Sequence, residues 1–228
     1  RVLHFSIRRQ LQMCISDCAL LIALLQAYSS FAKVFDPISF TLNNGLQVIV
    51  VSDHRAPAVS HMLWYKVGSA DDPQGKSGLA HFLEHLMFKG TRKYGPGQAA
   101  KIIAKNGGSE NAFTGYDYTA YYQTVTPDNL ALVMDIESDR MSNLVLDEAS
   151  VQAERDVVLE ERNTRTDNND QTKMRELVTS TMFLAYPYRI PIIGWKHEIK
   201  RLDGASALEF FRKWNVHNNA VLIDEGDV

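Results

Sequence analysis

His81, Glu84 and His85 fall within a five-residue span of the stretch Gly78-Leu79-Ala80-His81-Phe82-Leu83-Glu84-His85-Leu86-Met87-Phe88-Lys89-Gly90. Side chains four apart on a helix stand one turn above each other. Two imidazoles at that spacing can hold one divalent ion, and a glutamate beside them can move a proton. The rest of the stretch predicts the helix. At about 100° per residue, Leu79, Phe82, Leu83, Leu86 and Met87 gather in one apolar stripe, with His81, Glu84 and His85 on the other side. Ser77 is the candidate N-cap and Gly90 the C-terminal stop. Phe88 falls in angle between the three polar residues, which predicts that protein covers the histidines. A merely solvated face also carries such residues, so a third ligand has to decide.

A second helix, expected from about Asp147 to Arg165, offers that ligand. Val151, Glu154, Val157, Val158 and Glu161 share a stripe about 120° wide by the same projection. Two carboxylates therefore sit among valines. An ionised carboxylate buried alone costs several kcal/mol, so each should face a cation or a set of donors. Glu160 projects elsewhere, which makes Glu161 the candidate ligand. Two buried salt bridges, with Arg165 or Arg140, would explain the stripe equally well. They would not explain two histidines in register on a covered helix, and two histidines with a glutamate form a known catalytic zinc set.

The elements that must position these helices follow in order. Residues 38–42 and 46–51 flank Asn43-Asn44-Gly45 and read as a β-hairpin, and residues 59–67 alternate as a third strand. A loop over 68–76 leads into the histidine helix. Residues 98–105 form a short helix closed by Gly107-Gly108, and 109–115 and 118–126 are two more strands. Thr126-Pro127 starts a helix that runs to about Asn143. After a polar break at 167–170, a helix is expected over 174–185, a loop over 187–194 and a helix over 205–214. A strand beginning at Ala220 to Ile223 has no following element to cover it, which predicts an apolar edge and association. Strands and helices mix without βαβ alternation, so the fold class is α+β, a single domain with a mixed, largely antiparallel sheet packed with helices.

The totals allow one sizeable core. The chain has 228 residues, 45% of them hydrophobic and 22% charged, with a net charge of −3 and no basic stripe, which argues against a nucleic-acid partner. Residues 1–32 differ from the rest. Arg1, Arg8 and Arg9 precede the apolar run Cys18-Ala19-Leu20-Leu21-Ile22-Ala23-Leu24-Leu25, and Ser30-Phe31-Ala32 follows, a pattern resembling a secretory signal cut before Lys33. Export to a periplasm or outside the cell is the expectation. A mitochondrial presequence is the alternative, and a retained membrane anchor a third. Both cysteines, Cys14 and Cys18, lie in this leader, so the domain 33–228 is expected without disulfides or thiolate ligands.

The inverted order His81-x-x-Glu84-His85, with Glu161 downstream and Glu154 seven residues before it, resembles the pitrilysin family of zinc metallopeptidases, which includes insulysin and mitochondrial processing peptidase. The likeness extends through Gly107-Gly108-Ser109-Glu110-Asn111-Ala112-Phe113-Thr114, Asp117-Tyr118-Thr119-Ala120-Tyr121-Tyr122 and residues 154–163, and covers about Phe40 onward. It implies one zinc ion held by His81, His85 and Glu161, with Glu84 as the base and Glu154 as an acid behind the ligands that orients them. It implies that the strand bearing Asn111 and Ala112 is a sheet edge on which a substrate backbone pairs. The expected activity is zinc-dependent endopeptidase action on peptides or unfolded segments. The alternative is a non-catalytic binding or assembly subunit, as some members of the family are. The family has two related halves and the likeness covers the first, so a second half or partner subunit is expected. Asp224 and Glu225 interrupt a strand that is usually apolar in the family, and Tyr186 stands where a histidine is usual.

Overall fold

The computed structural model describes residues 36–228, and residues 37–228 form one compact unit. The expected leader lies outside the described residues. Six strands form one sheet: β1 (Ile38–Thr41), β2 (Gln47–Ser52), β3 (Val59–Tyr65), β4 (Ser109–Thr114), β5 (Thr119–Val125) and β6 (Ala220–Gly226), in the order β1-β2-β6-β3-β5-β4. Only β2 and β6 run parallel, so the mixed, largely antiparallel α+β architecture is borne out.

Alternation along β3 decides which face is covered. Val59, His61, Leu63 and Tyr65 are buried, while Met62 and Trp64 between them are half-buried on the opposite face. Against the buried face pack α1 (Leu79–Met87), α2 (Gln98–Lys105), α3 (Leu130–Asn143), α4 (Glu148–Arg162) and α7 (Gly204–Trp214). The remaining helices are α5 (Asp170–Met182) and α6 (Lys196–Ile199). Leu79, Phe82, Leu83, Leu86 and Met87 are each at most 3% exposed, which fixes α1 by about 1.5–3 kcal/mol per side chain.

The expected uncovered edge at Ala220 does not exist. β6 runs on to Gly226 and lies inside the sheet, paired with β2 on one side and β3 on the other. Asp224 does not interrupt it, because the register sets Asp224 opposite His61, with Oδ1 2.6 Å from Nδ1. The same row continues through Gln123 to Glu110, and Gln123 donates to Glu137 of α3. Each buried polar group in this row therefore has a neighbour of its own kind.

Ser77 is not the cap of α1. Gly78 holds that position with φ +83°, where an added Cβ would lie 2.4 Å from the Ile193 carbonyl oxygen. The Ser77 hydroxyl instead accepts from the Trp195 N–H. The free N–H groups of the first turn are met from the preceding loop, where the Asp72 carboxylate accepts from Gly78 at 2.7 Å and Ala80 at 2.8 Å. α5 starts at Asp170 rather than 174, since Asn169 caps it by accepting from the Thr172 N–H, and it ends at Met182. Between α4 and α5 the chain makes one wide π turn over Asn163–Asp167.

Candidate metal centre

α1 and α4 bring the expected residues together. His81 Nε2 lies 3.5 Å and His85 Nε2 3.3 Å from the same atom, Glu161 Oε2. One ligand atom from each residue lies within 4.8 Å of the others. The three side chains are 12%, 21% and 16% exposed, so the cluster is covered yet reachable. Glu161 Oε2 is buried without a hydrogen-bond partner among the described residues. Its other oxygen is paired with Arg165 at 2.6 Å. The salt bridge weighed from the sequence is therefore present, but on only one of the two carboxylate oxygens. An unsatisfied carboxylate oxygen converging with two imidazole nitrogens is the donor set that zinc takes. Zinc fits the residues present.

Charge on the ligands follows from the same packing. Burial lowers the His81 pKa to about 4, helped by the neighbouring His85, so its ring stays neutral with a lone pair to offer. Burial also opposes charge on His85, but the carboxylates of Glu161 and Glu154 outweigh it and raise that pKa. The His85 ring next to it holds the Glu161 carboxyl below its ordinary range.

Glu154, one turn and more back along α4, lies behind the cluster. Its Oε2 is 3.1 Å from His85 Nδ1, and its Oε1 is 2.5 Å from Lys89 Nζ. Glu84 is half-buried and accepts from the Thr114 hydroxyl at 2.5 Å, and burial raises its pKa. A carboxylate beside a metal set, with its pKa raised above the ordinary range, is suited to accept a proton. Thr114 lies in a stretch that carried the resemblance and Lys89 in the histidine stretch, but nothing in their spacing pointed to these partners. Arg140, the other partner considered for the buried acids, pairs with Glu110 and Glu137 instead.

The three ligands, together with Glu84, Lys89, Thr114, Glu154 and Arg165, open onto one cavity of about 870 Å³. One wall is α1, another is the edge strand β4 with Asn111 and Ala112, and the third is built by α4, the π turn, α5 and the loop 189–193. Among the described residues β4 pairs only with β5, and its outer side borders the cavity. Val157 is 47% exposed because its part of the valine stripe borders this space rather than the core.

Residues 47–195 match the family model described as insulinase (peptidase family M16). The chain is 34% identical over 226 residues to the zinc protease PqqE of Helicobacter pylori, covering 99% of this chain and 50% of that protein. The crystal structure of a protease from Helicobacter pylori superposes with a TM-score of 0.80 at 35% identity, over 85% of this chain and 47% of that one. The periplasmic protease PqqL from Escherichia coli gives a TM-score of 0.78 at 25% identity, over 84% of this chain and 22% of that one. The chain thus spans about half the length of the first curated relative it matches.

Proposed function

The chain belongs to the insulinase family, peptidase family M16, and from that premise we propose that it is the metal-bearing half of a zinc metalloendopeptidase that hydrolyses peptide bonds in peptides or unfolded segments. The observation that carries this reading is the convergence of His81 Nε2 and His85 Nε2 on the partnerless Glu161 Oε2, with Glu84 lining the same cavity. His81, His85 and Glu161 would hold one zinc ion. Bound there, zinc supplies a Lewis acid for the scissile carbonyl and lowers the pKa of a water toward about 7.

The rest is done by the chain's own groups. Glu84 takes the proton of the attacking water and returns it to the leaving amine, while Thr114 keeps its carboxylate turned into the cavity. Glu154 fixes the ring of His85 through Nδ1, which leaves Nε2 aimed at the metal position. The open edge of β4 at Asn111 and Ala112 receives the substrate backbone as an added strand and lays it across α1. A second homologous half, on the same polypeptide or on a partner, closes over the substrate, and export out of the cytoplasm is the setting in which the enzyme works.

The test combines metal content with cleavage of an unfolded peptide, with and without a second half. The native chain should bind about one zinc, and His81→Ala, His85→Ala and Glu161→Ala should each weaken binding severely. Glu160→Ala should not, because Glu160 is exposed and, among the described residues, bonds only to Asn163 and Thr164. Glu84→Gln should keep zinc and lose about 10²-fold to 10⁴-fold in rate. Normal turnover by Glu84→Gln would sink the mechanism. Zinc retention without cleavage by the native chain, even with the second half added, would leave a binding subunit.

A further inference from the structure

α5 turns the wrong way round for a helix on a globular surface. Thr172, Arg175, Glu176 and Thr179, spaced three and four apart, line the cavity. Met174, Leu177, Val178 and Met182 point away from it and are 44–72% exposed. Burial of apolar surface therefore does not explain why this polar face is directed inward.

The charges along the cavity are unevenly satisfied. Lys89 is matched by Glu154, and Arg165 by Glu161. Glu176 is gripped by Arg162 through both oxygens, at 2.9 and 3.1 Å. Arg175 has no hydrogen bond or ion pair among the described residues. Arg189 reaches only a backbone oxygen, donating to the Leu184 carbonyl at 2.9 Å, and meets no carboxylate among the described residues. Its loop is nevertheless fixed: Tyr188 stacks on Tyr116 with ring centres 4.4 Å apart, and the Tyr188 hydroxyl donates to Asp117. Arg175 and Arg189 thus line the same cavity as β4 without a carboxylate partner among the described residues.

Resting on the peptidase reading above, we propose that Arg175 and Arg189 form a subsite for an acidic side chain of the substrate. A peptide paired along β4 presents alternate side chains to its surroundings. One that reaches the α5 wall as aspartate or glutamate meets two guanidinium groups, with the hydroxyls of Thr172 and Thr179 on the same helix face. Charge-assisted bonds to guanidinium are among the strong ones, and here two exposed guanidinium groups line one cavity. A lysine or arginine at that substrate position would be repelled. The subsite makes the enzyme selective by charge, at a distance from the atoms that do the hydrolysis.

The test uses the zinc-loaded Glu84→Gln chain, which binds without cutting, and fluorescein-labelled unfolded peptides that differ only by Glu, Ala or Lys scanned along the sequence. Anisotropy should show one position where Glu binds about tenfold tighter than Ala, with Lys weaker still. The double variant Arg175→Glu, Arg189→Glu should invert that order at the same position. Both residues are exposed, so the fold should survive, and unchanged zinc content checks this. Equal affinity for Glu and Ala peptides at every position would overturn the subsite and leave the peptidase reading standing. Persistence of the preference in the double variant would assign the acidic group to the metal and also overturn the subsite. Failure of every peptide to bind even with the second half added would remove the peptidase reading, and the subsite with it.

Discussion

Glu154 Oε2 stands 3.1 Å behind His85, at Nδ1, while Glu161 Oε2 stands 3.3 Å in front of it, at Nε2. The two carboxylates of one helix thus clamp one imidazole ring from both sides. Glu154→Gln should keep the shape but lose the charge that holds the ring, and with it the partner of Lys89. Zinc affinity should fall about 10-fold to 100-fold, read by competition with a chelator. An unchanged affinity would mean that packing alone orients His85.

Asp72 ties stability to pH. Burial pushes its carboxyl up to about 7, against the pull of the backbone N–H groups that it accepts from. A folded pKa above the unfolded value of 3.8 means that the folded chain holds the proton more tightly. Its stabilising share is complete below the unfolded pKa and is lost as pH rises through about 7. Asp72→Asn cannot titrate, so its urea-unfolding free energy should vary less than that of the native chain between about pH 4 and 7.5. Each pKa unit is worth about 1.4 kcal/mol. Parallel pH profiles for the two chains would refute the assignment.

His61 and Asp224 are 1% and 4% exposed and bond only 2.6 Å apart in the middle of the sheet. Asp224→Ala leaves a buried histidine beside Gln123 with its partner gone, and should cost roughly 3–5 kcal/mol in denaturant unfolding. Replacing both by leucine should cost less than the single change. A larger cost for the double variant would show that the pair is needed for more than mutual compensation.

Local periodicity made much of this chain legible. His81, Glu84 and His85 declared their common face because α1 follows the helical period closely, and the phase of α4 singled out Glu161 over Glu160. Groups that meet across long separations did not show. The cap of α1 comes from Asp72, outside the helix and past a loop, so the nearer Ser77 looked sufficient. Asp224 looked like a break in an apolar strand because His61, its partner, is on another strand. β6 looked like an uncovered edge because strand order within a sheet is set by pairing that the local pattern does not encode. The Thr114 bond to Glu84 is of the same kind.

The place of β6 also sets the order in which the molecule can be built. On a growing chain, β1 with β2 forms one piece, and β3, β5 and β4 form another, all complete once Val125 has been made. Neither piece can join the other until residues 220–226 are available to slot between β2 and β3. Through that interval the facing edges of both pieces are unpaired, and an unpaired edge recruits foreign strands. The ligand-bearing helices are synthesised early, yet the sheet that levels them is assembled late. The nascent chain therefore carries its histidines well before it has a fixed surface to hold them, and the two edges can close only after residues 220–226 have been made.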